Sequence, residues 1–187
     1  MCGRYALFDL SKSKIKKKIN IIPNYNIVPG SNVLLINNKN ELFYLPWSLR
    51  FSWSKSFNVI NARSETLHQK KIFKNTKRCI FVANGYYEWK KGHNKKTPYY
   101  HTFFNKNIYF AGLFNDYGAC IVTRMSYSNT MRIHKRQPVL LKYNEFPNWF
   151  LGTHNFECKS TKKLKIIEVS TQVNFPSNNK PDNIIGV

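Results

Sequence analysis

The chain has 187 residues, in which 30 lysines and arginines outnumber 9 aspartates and glutamates, for a formal charge of +21. Hydrophobic residues make up 42% and aromatic residues 16%, which excludes a disordered chain despite the charge. The length fits a single domain spanning 1–187, and the charge favours a polyanionic partner, either nucleic acid or an anionic membrane surface.

The sequence contains no apolar run of about 18 residues and no apolar stretch behind Met1, so we expect no membrane span and no secretory signal. None of the four cysteines lies in a CxxC pair, and we expect neither a zinc site, nor a disulfide framework, nor a cofactor. An intracellular, cytoplasmic location follows as the expectation. The cysteines are Cys2, Cys79, Cys120 and Cys158.

The first predicted element is a short amphipathic helix over 11–22, because Ile15, Ile19 and Ile22 recur at helical spacing beside a lysine face. A loop bounded by Pro23 and Pro29 follows. A solvated lysine face is a better interpretation of this helix than a binding site.

The rest of the chain is dominated by short apolar, aromatic or β-branched runs separated by turn residues, which predict strands. Glu145–Leu151 predicts a short helix, and the tail from about residue 175 is expected to be loose. The predicted fold is therefore a β-rich α+β domain, with a mixed sheet or barrel core and few short helices. The predicted strands are Val33–Ile36, Leu42–Leu45, Cys79–Ala83, Tyr99–Phe104, Ile108–Leu113, Cys120–Thr123, Val139–Leu141 and Ile166–Val169.

Cys2 is a candidate nucleophile if Met1 is removed, since a small second residue permits that removal. The mature chain would then carry an amine and a thiol on adjacent carbons. Such a pair condenses with an aldehyde to an imine and closes a thiazolidine ring, and both groups have usable reactive fractions near neutral pH. From its position alone, the better interpretation is that Cys2 is an ordinary residue at an unprocessed start.

Three further polar residues stand in contexts that suit chemistry. Asn61 follows an apolar strand and could orient an amine, or simply cap a helix. Glu88 lies between Tyr87 and Trp89, where desolvation should raise its pKa toward that of a general acid, although a strand glutamate paired with lysine is common. His134 is a candidate proton shuttle beside a basic pair.

Aromatic and arginine residues alternate along the chain in a way typical of proteins that hold single-stranded nucleic acid without reading its sequence. Trp47, Trp53 and Trp89 are the largest of these aromatic side chains, and Arg63 could clamp a phosphate. The simpler interpretation is that most of the aromatic residues belong to the core.

Motifs in a fixed order resemble those of the SOS response-associated peptidase (SRAP) family, also called abasic-site processing proteins. The resemblance runs from residue 1 to about Asn174. The motifs are Met1–Ala6, Tyr25–Gly30, Asn61–Thr66, Gly85–Lys90, Phe110–Leu113, Ile133–Leu141 and Glu168–Asn174.

The resemblance implies a protein that traps abasic sites in single-stranded DNA through a thiazolidine crosslink to Cys2. The family's asparagine, glutamate and histidine map to Asn61, Glu88 and His134, which would hold the amine, carry protons and permit reversal. Autoproteolytic and AP-lyase activities are implied as well, without a metal, and by a monomer. The implied DNA-binding residues are Arg4, Trp53, Arg63, Trp89, Thr123 and Arg136.

Two other functions fit the residues. One is a thiol peptidase that acts on other proteins through Cys2, His134 and Glu88. The other is a non-catalytic single-stranded nucleic-acid-binding module, in which charge and aromatic side chains suffice.

Overall fold

The computed structural model describes residues 2–15, 19–156 and 163–187. These residues form fifteen strands, one α-helix and several short 3-10 helices, which confirms the predicted β-rich α+β class. The helix is α1, Phe146–Leu151. The strands are β1 Tyr5–Leu7, β2 Asn24–Ile27, β3 Asn32–Ile36, β4 Leu42–Pro46, β5 Leu49–Phe51, β6 Ser54–Val59, β7 Asn61–Arg63, β8 Lys77–Ala83, β9 Gly85–Lys91, β10 Lys96–Thr102, β11 Ile108–Asn115, β12 Gly118–Met125, β13 Arg136–Pro138, β14 Leu140–Leu141 and β15 Lys165–Glu168.

Two sheets carry the fold. The first has the strand order β15-β10-β9-β1-β2, and the second has the order β13-β12-β11-β8-β3-β4. Strand β14 also pairs with β11, and β7 pairs in parallel with β12. Strands β5 and β6 form a separate hairpin. Across the described ranges the sheets stay open and do not close into a barrel.

The core lies around the central strands of the second sheet. Strands β8, β11 and β12 are apolar and buried over most of their length, as expected of strands covered on both faces. Packing there is close at Gly112, where an added Cβ would lie 2.5 Å from the ring of Phe81. Glycine therefore permits the contact between β8 and β11.

The predicted strands all appear, with ends that shift by a few residues, and the predicted helix begins one residue later, at Phe146. Pro147 stands in its first turn, where the missing N–H costs nothing, and Gly152 ends it with a φ of 84°. The hairpin β5–β6 is an element that the apolar pattern does not predict, because most of its second strand is polar. None of the helices described is long and apolar enough to cross a membrane.

The predicted helix over 11–22 is wrong in the residues that can be compared, 11–15 and 19–22, while 16–18 lie outside the described residues. The hydroxyl of Tyr109 binds Ser13 Oγ at 2.9 Å and accepts the backbone N–H of Lys14 at 3.1 Å. Ser13 Oγ also accepts the N–H of Ile15. These side-chain hydrogen bonds compete with the backbone hydrogen bonds of a helix. The isoleucines are β-branched and favour a helix only weakly, so they do not tip that competition toward the helix.

The C-terminal tail, which the sequence led us to expect to be loose, packs against the first sheet. Val173 and Asn183 are buried, and the N–H of Val187 donates to the carbonyl of Glu168 at 3.2 Å. The side-chain amide of Asn26 donates to the carbonyls of Phe175 and Asn178, at 2.9 Å each. The tail is ordered because its backbone groups find partners in β2 and β15.

Candidate active site

Four candidate residues converge from both sheets around the start of β1. Cys2 precedes β1, which pairs with β9, the strand that carries Glu88. Asn61 opens β7, and His134 stands just before β13. Because β7 and β13 both pair with β12, the second sheet delivers Asn61 and His134 to the same region. The sequence motifs are therefore close in space although they are spread over 130 residues of chain.

Asn61 binds the backbone of Cys2 directly. Its Nδ2 donates to the carbonyl oxygen of Cys2 at 2.8 Å. Its Oδ1 is buried and has no hydrogen-bond partner among the described residues. A buried amide oxygen without a partner is costly, so this atom is ready to accept a hydrogen bond from a donor placed beside Cys2.

The thiol of Cys2 is fully buried, with Sγ 4.0 Å from the carbonyl oxygen of Arg4. Burial raises the pKa of this thiol well above its ordinary value, and the negative charge of Glu88 raises it further. The sulfur is therefore a protonated thiol, not a thiolate, at neutral pH.

Glu88 is a buried carboxyl group. Burial raises its pKa, and the charge of His134 opposes that shift only in part. Its neighbour in β10 is Tyr99, which is held in antiparallel register with it. A carboxyl group with a raised pKa can act as both acid and base near neutral pH.

His134 completes the cluster, with Nδ1 3.8 Å from Glu88 Oε2. The same Nδ1 accepts the backbone N–H of Arg136 at 3.0 Å. The carbonyl oxygen of Arg136 lies at the same distance of 3.0 Å, so Nδ1 faces both a donor and an acceptor of Arg136. A proton on Nδ1 would have that oxygen and Glu88 as acceptors.

Arg4 and Trp89 lie beside this cluster and are tied to the C-terminal tail. Arg4 Nη1 donates to Asn26 Oδ1 at 2.7 Å and to the carbonyl oxygen of Val173. The guanidinium lies 5.8 Å from the centre of the Trp89 ring, and Trp89 Nε1 donates to Asn174 Oδ1 at 2.7 Å. Both predicted DNA-binding residues therefore also fasten the tail to the site.

Trp53 stands apart from the cluster, on the β5–β6 hairpin. It is 65% exposed and stacks on Phe51, with ring centres 5.4 Å apart and planes 24° apart. Phe57 adds a third ring at 5.2 Å from Trp53. An exposed stack of aromatic rings is a surface on which a base can stack.

The remaining predicted DNA-binding residues differ in exposure. Arg63 is exposed at the end of β7, whereas Thr123 is fully buried and donates its hydroxyl to the carbonyl of Ala62 at 3.3 Å. Arg136 donates to both carboxylate oxygens of Glu65, at 2.7 and 2.9 Å, and to the backbone of Thr123 at 2.8 Å. In this conformation Thr123 and Arg136 support the segment that carries His134, and their contact with DNA stays a prediction.

Sequence reasoning missed Glu65 and Asn26 as parts of the site's support. Glu65 lies within the motif that contains Asn61, but its partner Arg136 is 71 residues away. Asn26 binds Arg4 and the tail through one amide. Pairings over such separations leave no periodic signal in a single sequence.

The described part of the chain holds no cluster of three or more histidine, cysteine or acidic side chains that could bind a metal ion. Of its cysteines, Cys2, Cys79 and Cys120 are buried and unpaired, while Cys158 lies outside the described residues.

A family model described as SOS response associated peptidase (SRAP) matches residues 1–176. The chain is 32% identical to the abasic site processing protein YoqW of Bacillus subtilis, over 97% of this chain and 98% of that relative. It is 29% identical to the abasic site processing protein YedK of Escherichia coli, over 80% of this chain and 79% of that one.

The fold also matches solved structures. A phage-related protein of Bordetella bronchiseptica superposes with a TM-score of 0.75 at 25% identity, over 90% of this chain and 94% of that chain. A second Bordetella bronchiseptica protein gives a TM-score of 0.76 at 21% identity, over 90% of this chain and 100% of the other. The second match supports the fold alone.

Proposed function

The chain belongs to the SOS response associated peptidase (SRAP) family, and from that premise we propose that it processes abasic sites in single-stranded DNA by a covalent crosslink to Cys2. Relatives spanning nearly the whole chain carry the name abasic site processing protein. The observation that carries the proposal is the hydrogen bond of 2.8 Å from Asn61 Nδ2 to the Cys2 carbonyl, while Asn61 Oδ1 is buried with no hydrogen-bond partner among the described residues.

The proposed chemistry begins once Met1 is removed and Cys2 carries the free α-amine. The amine nitrogen attacks the C1′ aldehyde carbon of the ring-opened abasic sugar, and loss of one water gives an imine. The sulfur then attacks the same carbon, and the thiol proton passes to the nitrogen. The product is a thiazolidine ring that joins the chain to the DNA, with a net loss of one water.

Asn61 suits the first step because it can hold the amine without adding charge. Its Nδ2 fixes the carbonyl of Cys2, and its Oδ1 would accept a hydrogen bond from the amine. An imine forms only from a neutral amine, and a chain of charge +21 disfavours protonation of that amine.

Glu88 and His134 suit the proton transfers. The aldehyde must first be released from the closed hemiacetal, which needs an acid and a base. Glu88 has a raised pKa and can give a proton, and His134 stands beside it as the second acid–base group, with Nδ1 3.8 Å from Oε2. Reversal of the crosslink and the proposed AP-lyase step would use the same groups.

The single-stranded DNA would be held by charge and by ring stacking. The excess of 30 basic over 9 acidic residues attracts phosphates, and Trp53 offers an exposed ring to a base. Arg63 lies exposed at the end of the strand that carries Asn61.

The buried state of Cys2 argues against the alternative of a thiol peptidase that acts on other proteins. A peptidase of that kind needs a thiolate that a protein substrate can reach. Here burial raises the pKa of the thiol, so the side chain lacks the thiolate that such a peptidase uses as its nucleophile.

The test is incubation of the purified chain with abasic single-stranded DNA, followed by a denaturing gel and intact mass measurement. We expect a shifted band whose mass is that of the chain without Met1 plus the oligonucleotide minus one water. Cys2→Ala should give no stable band, and Cys120→Ala, which removes another buried thiol, should crosslink like the wild type. Retention of Met1 throughout, or an equal band from Cys2→Ala, would contradict the proposal.

A further inference from the structure

A cleft of about 470 Å³ lies away from the Cys2 cluster, between the segment after β1, the β10–β11 turn and the segment after β14. None of the candidate site residues lines it. Asp9 follows β1 and its carbonyl accepts Asn107 Nδ2 at 2.8 Å, whereas Cys2 precedes that strand. At about 3.3 Å per extended residue, the seven residues from Cys2 to Asp9 span at most about 23 Å.

The rim of this cleft is cationic. Lys12, Lys14, Lys106 and Lys142 line it, all four are exposed, and no acidic residue lines it with them. The ion pairs recorded between described residues do not involve these lysines. Two carboxylates near the rim offset part of its charge, since Glu145 accepts the backbone N–H of Lys142 at 2.7 Å and Asp9 interacts with the charge of Lys12. Four clustered ammonium groups of this kind attract a phosphate.

The floor and walls are apolar and aromatic. Ile108 and Leu140 form a buried floor, while Phe103 and Tyr143 present rings to the opening. Both rings already contact cations, with Lys106 Nζ 4.2 Å from the centre of the Phe103 ring and Lys14 Nζ 5.9 Å from that of Tyr143. A cavity that combines ammonium groups with aromatic faces matches a ligand with an anionic end and a planar end.

Asn107 adds an unpaired acceptor to the lining of the cleft. It lines the cleft, is 3% exposed, and its Oδ1 is buried with no hydrogen-bond partner among the described residues. Its amide nitrogen is held by the carbonyls of Asp9 and Ala83. The side chain is therefore fixed with an acceptor left over, and an acceptor of this kind selects a ligand that carries an N–H or O–H donor.

We propose that this cleft binds one nucleotide, with its phosphate on the lysine rim and its base between Phe103 and Tyr143, at a site separate from Cys2. A base such as thymine or guanine offers the ring N–H that Asn107 Oδ1 lacks. The volume suits one nucleotide, since small-molecule sites span about 300–1,000 Å³. The nucleotide comes either from a DNA strand that continues past the reactive centre or from the free pool.

The first measurement is binding of an undamaged oligothymidylate of about 12 nucleotides to the full chain, by fluorescence anisotropy over about 50 to 200 mM salt. Lys106→Gln/Lys142→Gln removes two rim charges, and Lys77→Gln/Lys95→Gln removes two exposed charges outside the cleft. Loss of the one phosphate contact should reduce the log–log salt slope by about 0.7 in the rim variant. An equal reduction in the control variant would show that the charge acts diffusely and would overturn the site.

The second measurement is the NMR signal of the Asn107 side-chain amide, titrated with thymidine monophosphate, with the oligonucleotide and with inorganic phosphate. A shift with the monophosphate supports a site open to free nucleotides, and a shift with the oligonucleotide alone supports a site for a DNA strand. A response to phosphate equal to that of the monophosphate, or no response to any of the three, overturns the proposal. Undamaged DNA forms no aldehyde, so failure of the crosslinking chemistry leaves this result unaffected.

Discussion

Glu65 and Arg136 form a bidentate ion pair, in which Arg136 Nη1 lies 2.7 Å from Glu65 Oε1 and Arg136 Nη2 lies 2.9 Å from Glu65 Oε2. The carboxylate also accepts the N–H of Met125, and Arg136 supplies the backbone N–H that binds His134 Nδ1. The pair thus joins the Asn61 motif to the His134 motif. Two segments of the site are held in register by one contact between side chains.

Replacement of Glu65 by glutamine should weaken the fold in a pH-dependent way. Burial alone would raise the pKa of Glu65, but hydrogen bonds from Arg136 and from the backbone outweigh it and lower the pKa to about 2. The stabilisation is therefore present above the ordinary value of 4.5 and is lost as the pH falls toward 2. We expect Glu65→Gln to lose about 1 kcal/mol at neutral pH, since the pair is partly exposed.

Urea denaturation at neutral pH and near the acid limit of the fold measures this difference. Asp116→Asn removes an exposed carboxylate for which no ion pair with a described residue is recorded, and it should show neither the loss nor its pH dependence. A loss in Glu65→Gln that stays constant as the pH falls would contradict the assignment.

Asn61→Ala should slow crosslinking more than it disturbs the fold. The variant removes the donor to the Cys2 carbonyl and the acceptor proposed for the amine, and one such hydrogen bond corresponds to roughly a tenfold change in rate. Single-turnover crosslinking rates on abasic DNA measure the effect. Asn58→Ala, exposed in β6 and three residues before β7, is the matched control and should react at the wild-type rate.

Glu88→Gln should stabilise the chain at alkaline pH while it abolishes proton transfer. Because burial raises the pKa of Glu88, its contribution to stability is complete below the ordinary value and is lost as the pH rises through the raised value. Glutamine cannot ionise. The free energies of unfolding of the wild type and the variant should therefore agree at acidic pH, and at higher pH the variant should be the more stable of the two. Denaturation across this pH range tests the sign, and a divergence in favour of the wild type would contradict a raised pKa.

Asn26→Ala should release the C-terminal tail. The amide of Asn26 donates to Phe175 and Asn178, and its carbonyl oxygen accepts Arg4, so its removal leaves buried groups without partners and should cost about 1–3 kcal/mol. Hydrogen exchange should quicken in residues 173–179. Asn38→Ala, in the exposed β3–β4 turn, should change neither quantity, and equal exchange in both variants would argue against the tether.

The sequence predicts the strands well because β-branched and aromatic runs between turn residues mark buried strands locally. The helix over 11–22 fails because one distant hydroxyl, that of Tyr109, competes for Ser13 and Lys14. Order in the tail likewise depends on Asn26, some 150 residues earlier. Contacts of this range are fixed by the tertiary structure and are invisible to periodicity.

For the site, the order of the motifs indicates the family and identifies Cys2, Asn61, Glu88 and His134 as candidates. The fold places these four residues close together. Their chemical states could not be predicted in full. The aromatic neighbours of Glu88 suggest a raised pKa, but the hydrogen-bond partners of His134 Nδ1 lie on the backbone of Arg136, which only the turn geometry brings there. The partner of Arg136 depends in turn on where β7 meets β12.

The complete burial of Cys2 sets an order of events for the proposed chemistry. Strand β1, which follows Cys2, pairs with β2 and β9, and the sulfur has no exposed surface. A sugar carbon that is already joined to the amine can therefore meet the sulfur only after the segment around Cys2 moves. Under the proposed function, imine formation comes first and ring closure waits for that movement.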